Sequence, residues 1–77
     1  MTGSIADVMI HVDENLAREE LERLEGVVKA NACVTSADVP EHQQHMMLVT
    51  YNPECVSARE ILSLVTAQGV HAELVGM

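Results

Sequence analysis

With 77 residues, twelve acidic side chains against four basic ones and a formal charge of −8, the chain has room for a single domain, 1–77, with one thin core, because at this size only about three fifths of the unfolded surface can be buried. The negative balance excludes nucleic acid and anionic membrane surfaces as expected partners, since phosphate binding needs clustered Lys or Arg to displace counterions. With no Trp, no Phe and one Tyr, the core must come from Val, Leu, Ile, Met and Ala, and the aromatic platforms that stack single-stranded bases are missing.

The opening MTGSIADV has neither a basic start nor a long apolar segment. No apolar run approaches the roughly 20 residues that cross a bilayer, so a cytoplasmic chain without membrane insertion is expected. ADVMIHVD then alternates Val8, Ile10 and Val12 against Met9, His11 and Asp13, the period of a strand with one core face. At Asp13-Glu14-Asn15 the period changes. Asn15 suits an N-cap, and Asp13 or Glu14 suits the positive end of a helix dipole. Three consecutive oxygen donors lack the alternating spacing of a Ca²⁺ loop. Ala17, Leu21, Leu24 and Val28 form one stripe of a short helix of about nine or ten residues, with Gly26 as its left-handed terminator.

VVKANACVTS alternates again, Ala30, Ala32 and Val34 against Lys29, Asn31, Cys33 and Thr35, and is the expected second strand. ADVPEHQQ carries Pro40 and a dense polar run, which predicts a mobile surface loop over about 36–44. The third strand, 45–51, sets Met47, Val49 and Tyr51 against Met46, Leu48 and Thr50, and Asn52-Pro53 ends it. Ser57-Ala58-Arg59-Glu60 is a capping box ahead of Ile61, Leu62 and Val65, with Gly69 closing that helix. VHAELVG supplies the last strand, Val70, Ala72 and Leu74 against His71, Glu73 and Val75. The two halves echo each other, Ala17-Arg18-Glu19 leading to Gly26-Val27 and Ala58-Arg59-Glu60 to Gly69-Val70.

The order β-α-β-β-α-β with right-handed crossovers predicts an α+β, ferredoxin-like sandwich: a four-stranded antiparallel sheet in the order 4-1-3-2 with two helices on one face. The other face then lacks cover. Its expected residues are Met9, His11, Lys29, Asn31, Cys33, Met46, Leu48, Thr50, His71, Glu73 and Val75. Of these, Met9, Cys33, Met46, Leu48 and Val75 make an apolar surface for a protein partner or for self-association as a homodimer. The bland reading is that half-exposed β-formers suit any strand.

No arrangement of groups demands an enzyme. Ser57 reads as a cap rather than a nucleophile. Cys33 and Cys55, twenty-two positions apart, make neither a disulfide scaffold nor a CxxC pair; spacing alone leaves a bridge open, and free thiols are expected. Four histidines invite a metal reading. Neighbouring first and last strands would bring His11, His71 and Glu73 together as ligands for Cu, Zn or Ni, while His42 and His45 flank a polar loop with Glu41; scattered surface histidines are the plainer account, and no resident cofactor is expected.

Taken together, L-E-G-V at 24–27 with A-x-A at 30–32, V-T-Y-N-P at 49–53, V-S-A-R-E-I at 56–61 and Q-G-V-H-A at 68–72 resemble the heavy-metal-associated domain family, the small modules of copper chaperones, mercury-binding proteins and metal-pumping ATPases. The resemblance covers nearly the whole chain and implies the fold above and a small docking module. It departs at the first loop. There the family carries G-M-x-C-x-x-C, whose paired thiolates hold and transfer a soft ion, whereas here Val12 is followed by D-E-N-L-A-R-E and the path to Gly26 is shorter. The resemblance therefore implies the architecture without carrying over that transfer site. Two functions follow as expectations: an accessory module acting by contact, or a metal-ion binding, metallochaperone-like protein using His, Asp, Glu or thiols shared between subunits.

Overall fold

The computed structural model describes residues 5–75; Gly76, the end of the expected last strand, lies outside the described residues. The elements are β1 (Ala6–Val12), α1 (Arg18–Lys29), β2 (Val34–Asp38), β3 (Met46–Tyr51), α2 (Ala58–Thr66) and β4 (Ala72–Val75). All ladders are antiparallel and the strands lie in the order β2-β3-β1-β4, the predicted topology read from the opposite edge. Val8, Ile10 and Val12 of β1 and Met47, Val49 and Tyr51 of β3 turn to one face, where they meet Leu24 and Val28 of α1 and Ile61 and Val65 of α2. Alternation along each strand thus delivers every second side chain to one core and leaves the others on a face over which, among the described residues, no helix lies.

The first helix starts later and runs further than the sequence suggests. Its N-cap is Ala17, not Asn15. Alanine has no side-chain acceptor, so the only local capping bond is the reverse one, in which the Ala17 N–H donates to Glu20 Oε1 at 3.0 Å. The helix passes through Gly26, and among the described residues Gly69 alone has positive φ. A helical glycine costs about 1 kcal/mol; burying Val28, which is fully enclosed, gives about 1.5–3 kcal/mol. The last turn therefore forms despite Gly26. The echo between the halves shifts by one residue, because Glu20 and Glu60 hold the equivalent third helical position and Glu19 does not.

β2 moves with the helix. Residues 27–29 belong to α1 and 30–33 to a turn, so Lys29 and Asn31 leave the sheet face on which they were expected. The ladder runs Val34 opposite Tyr51 and then Ser36 opposite Thr50, with a bulge between. One extra residue reverses the alternation, which is why Ala37, not an even-numbered neighbour, is the fully buried residue of this strand. Residues 36–38 complete β2, and the loop begins at Val39, whose N–H donates to Glu25 Oε2 at 2.8 Å.

α2 is as expected. Ser57 Oγ accepts from the Glu60 N–H at 3.1 Å and Glu60 Oε1 accepts from the Ser57 N–H at 3.0 Å, which confirms Ser57 as a cap. Gly69, at φ 90°, turns the chain into the approach to β4, a conformation that L side chains resist.

The expectation of free thiols is corrected, since Cys33 and Cys55 form a disulfide. The pairing of Val34 with Tyr51 sets the turn before β2 beside the segment after β3. There the Asn52 N–H donates to the Cys33 carbonyl at 2.9 Å and the Cys55 N–H to the Asn52 carbonyl at 3.0 Å. The two Cα atoms stand 5.6 Å apart, within the usual span of a bridge.

Candidate functional site

Three features carry chemistry: a polar end of the sheet, the uncovered face, and the sulfur corner. The polar end gathers where β1 stops. The Val12 N–H donates to the His45 carbonyl at 2.7 Å and the Asp13 N–H to the His71 carbonyl at 2.8 Å, so the chain after β1 is laced to the entries of β3 and β4. His45 Nδ1 lies 2.9 Å from the Val12 carbonyl and donates to it, which fixes that ring's tautomer. Its imidazole stacks on that of His11, with centroids 5.9 Å apart and planes 20° from parallel. Asp13 Oδ1 lies 3.2 Å from His11 Nδ1.

Glu14 makes the strongest link. Its carboxylate accepts from the His71 backbone N–H at 2.9 and 3.1 Å and lies 2.7 Å from His71 Nδ1. The side-chain bond from His71, reinforced by the backbone N–H, holds the Glu14 carboxyl below its ordinary value. The same side-chain bond, with the carboxylate's charge, raises the His71 imidazole. Charge-assisted bonds of this kind are shorter and stronger than neutral ones. Asn15 is therefore not the helix cap; Glu14 latches the β1–α1 connection onto the start of β4.

The expected metal ligands are placed accordingly. His11 faces Glu73 across the β1–β4 ladder, but His71 turns to Glu14. Among the described residues no three His, Cys, Asp or Glu side chains come together as a group able to hold a metal ion. His45, expected beside His42 and Glu41, instead joins His11. Pairing His11 with Met46 is the signal that would have found it.

The latch makes a pH prediction with a definite sign. His71 contributes stability fully below its unfolded value of about 6.5 and loses it as pH rises through its raised folded value. Glu14 contributes above its unfolded value of about 4.3 and loses it as pH falls through its lowered folded value. Glu14→Gln keeps an acceptor for the backbone N–H but removes the charge. The stability gap between wild type and this variant is expected to be widest near about pH 5–6 and to narrow on either side. Urea midpoints across pH, with NMR titration of the His71 ring moving down in the variant, check it.

On the uncovered face Met9 sits between Leu48 on β3 and Val75 on β4, and His11 between Met46 and Glu73. Leu48 is 37% exposed, and Ile5, just before β1, is 73% exposed. Met9, Met46 and Val75 are half-buried. Cys33, expected on this face, packs against the core and is bridged. The clefts beside α1 are small: one of about 60 Å³ lies under Arg18, Glu22 and Val39 and one of about 70 Å³ lies under Leu16, Arg23 and Val70. Each is well below the roughly 300 Å³ at which small-molecule pockets begin. Among the described residues no helix is long and apolar enough to cross a membrane.

No family model matches the sequence, and no curated protein matches it. Solved structures do share the fold. The N-terminal domain of a potential copper-translocating P-type ATPase from Bacillus subtilis, in the Cu(I)-loaded state, superposes at a TM-score of 0.84 with 19% identity, over 95% of this chain and 90% of that one. Oxidized MerP from Ralstonia metallidurans CH34 gives 0.84 and 12% over 95% and 100%. A copper-binding domain from HMA7, a P-type ATPase, gives 0.82 and 18% over 91% and 93%. At these identities the likeness fixes the architecture, the ferredoxin-like sandwich.

Proposed function

We propose that this chain is a small non-catalytic binding module that acts by contact through the uncovered face of its sheet, with a second copy of itself as the occupant. The observation that carries this reading is the apolar run across three strands, Leu48–Met9–Val75, flanked by Met46. A two-fold pairing would set each chain's run against the other's. The formal charge of −8 opposes that approach, so the pairing strengthens as salt screens the repulsion.

Sedimentation over a wide concentration range at low and moderate salt tests it. Wild type is expected to dimerise more tightly as salt rises. Leu48→Glu, which buries a charge in each half of the contact, is expected to weaken the dimer by about tenfold or more, with the far-UV spectrum unchanged. A monomer at every concentration and salt sinks the self-association reading. A complex with a different protein through the same face would replace the occupant.

A second reading, a metal-ion binding module with ligands other than a CxxC loop, is supported by solved structures of this fold described as copper-binding or Cu(I)-loaded.

A further inference from the structure

The sulfur corner lies at the far end of the sheet from the histidines. Tyr51 pairs with Val34 on one side and Ala6 on the other, so Cys33 and Cys55 belong to the end where β1 begins. The imidazoles of His11, His45 and His71 belong to the end where β1 stops. Bonds independent of the bridge hold the corner in place. The Cys33 N–H donates to Asn31 Oδ1 at 2.8 Å. The Cys33 carbonyl accepts from Asn52 at 2.9 Å, and the Asn52 carbonyl accepts from Cys55 at 3.0 Å and Val56 at 3.1 Å. Val56 is itself buried in the core. Cys55 is exposed and Cys33 half-buried, so one sulfur is open to an incoming reagent while the other is set by packing.

We propose that reduction turns this corner into a binding site for a soft, thiophilic ion, Cu(I) foremost, with Cys33 and Cys55 as its two ligands. A small-molecule thiol supplies the electrons. Two RSH break the Cys33–Cys55 bond and become RSSR, their two protons and two electrons leaving two cysteine thiols. Cu(I) then binds both sulfurs as thiolates and the two thiol protons pass to solvent. Paired thiolates are the donors that favour Cu(I) over harder ions. Two properties distinguish the site from a His-rich one: oxidation closes it, and no histidine takes part. It stands apart from the contact reading, since neither sulfur belongs to the Leu48–Met9–Val75 run.

The whole chain, reduced with excess thiol and desalted under nitrogen, is titrated with Cu(I) against a chromogenic Cu(I) chelator while intact mass is followed. The reduced protein is expected to take one ion per chain about a hundredfold or more tighter than the oxidised protein. Bound Cu(I) is expected to shield both thiols from iodoacetamide. Cys55→Ser should lose the tight site and a His11→Ala/His45→Ala pair should keep it. Equal affinity in both redox states, unshielded alkylation, or loss of the site with the histidines overturns the proposal. So does a reduced chain without its native far-UV signal, because the corner would then depend on the bridge; the alkylation result on wild type decides the matter if Cys55→Ser does not fold.

Discussion

Ile10→Ala is expected to lower the free energy of unfolding by about 2–5 kcal/mol, the usual cost of deleting most of a fully buried aliphatic side chain together with the cavity it leaves. Ile10 has 0% exposure and sits on β1, an inner strand with ladders on both sides, between Met47 and Leu74. A cavity there lies inside the core cluster on an inner strand and cannot be closed by moving an edge. A domain of 77 residues has a total stability of roughly 4–12 kcal/mol, so this single change removes a sizeable share of that stability. Ile10→Val, which removes one methyl, costs about 0.5–1.5 kcal/mol. Urea unfolding followed by circular dichroism checks both, with the midpoint falling and the slope unchanged. A loss under about 1 kcal/mol for the alanine variant would mean that the sheet collapses around the site, contrary to a core in which Ile10 is the centre.

That centre was legible because a strand with one buried face must alternate. Val8, Ile10 and Val12, and Met47, Val49 and Tyr51, each kept their predicted phase. The capping box at Ser57 and the glycine at 69 were legible for a similar reason: each satisfies a local backbone demand that leaves little choice of residue. The errors fell where two local signals competed. Gly26 looks like a helix end, but the burial of Val28 outweighs one glycine. Residues 27–33 alternate like a strand, but they finish α1 and turn, and the bulge before Ser36 then reverses the face on which Ala37 lies. A bulge leaves no mark in a pattern of apolar and polar letters.

The chemistry was less legible because it depends on register. Glu14 and His71 are fifty-seven positions apart, and only the pairing of Val12 with Ala72 brings them together. Asp13 and Glu14 read as dipole partners of a nearby helix because local roles are what a sequence displays; the Asp13 carboxylate meets His11 at the end of its own strand, and the Glu14 carboxylate takes its partner, His71, from the start of β4. The same holds for His45, which belongs to His11 by strand pairing rather than to His42 by proximity along the chain. Register also decides the cysteines. Once β2 begins at Val34 and opposes Tyr51, the residue before Val34 and the loop after Tyr51 must be neighbours, whatever the length of chain between them.

Removing that bridge, by reduction or as Cys33→Ser/Cys55→Ser, is the other large expected loss. The closed segment spans 22 positions, and freeing a loop of that size in the unfolded chain is worth roughly 3 kcal/mol by the chain-entropy relation. The effect acts on the unfolded state, so the native far-UV spectrum should survive while the urea midpoint drops. It is local as well as global. β2 is an edge strand whose only ladder among the described residues is with β3, and the bridge pins the start of that strand to the approach to α2. Amide exchange in β2 should therefore accelerate more than exchange in β1, which keeps two ladders. Thiol in the unfolding buffer should bring wild type to the double variant's midpoint and leave the variant where it is. If reduction shifts the midpoint by less than about 1 kcal/mol, the cross-link restrains little that the Asn52 hydrogen bonds and Val56 do not already hold. In that case the reduced corner keeps its geometry at almost no cost in stability, so a chain in a thiol-rich compartment would present two convergent sulfurs on an intact fold.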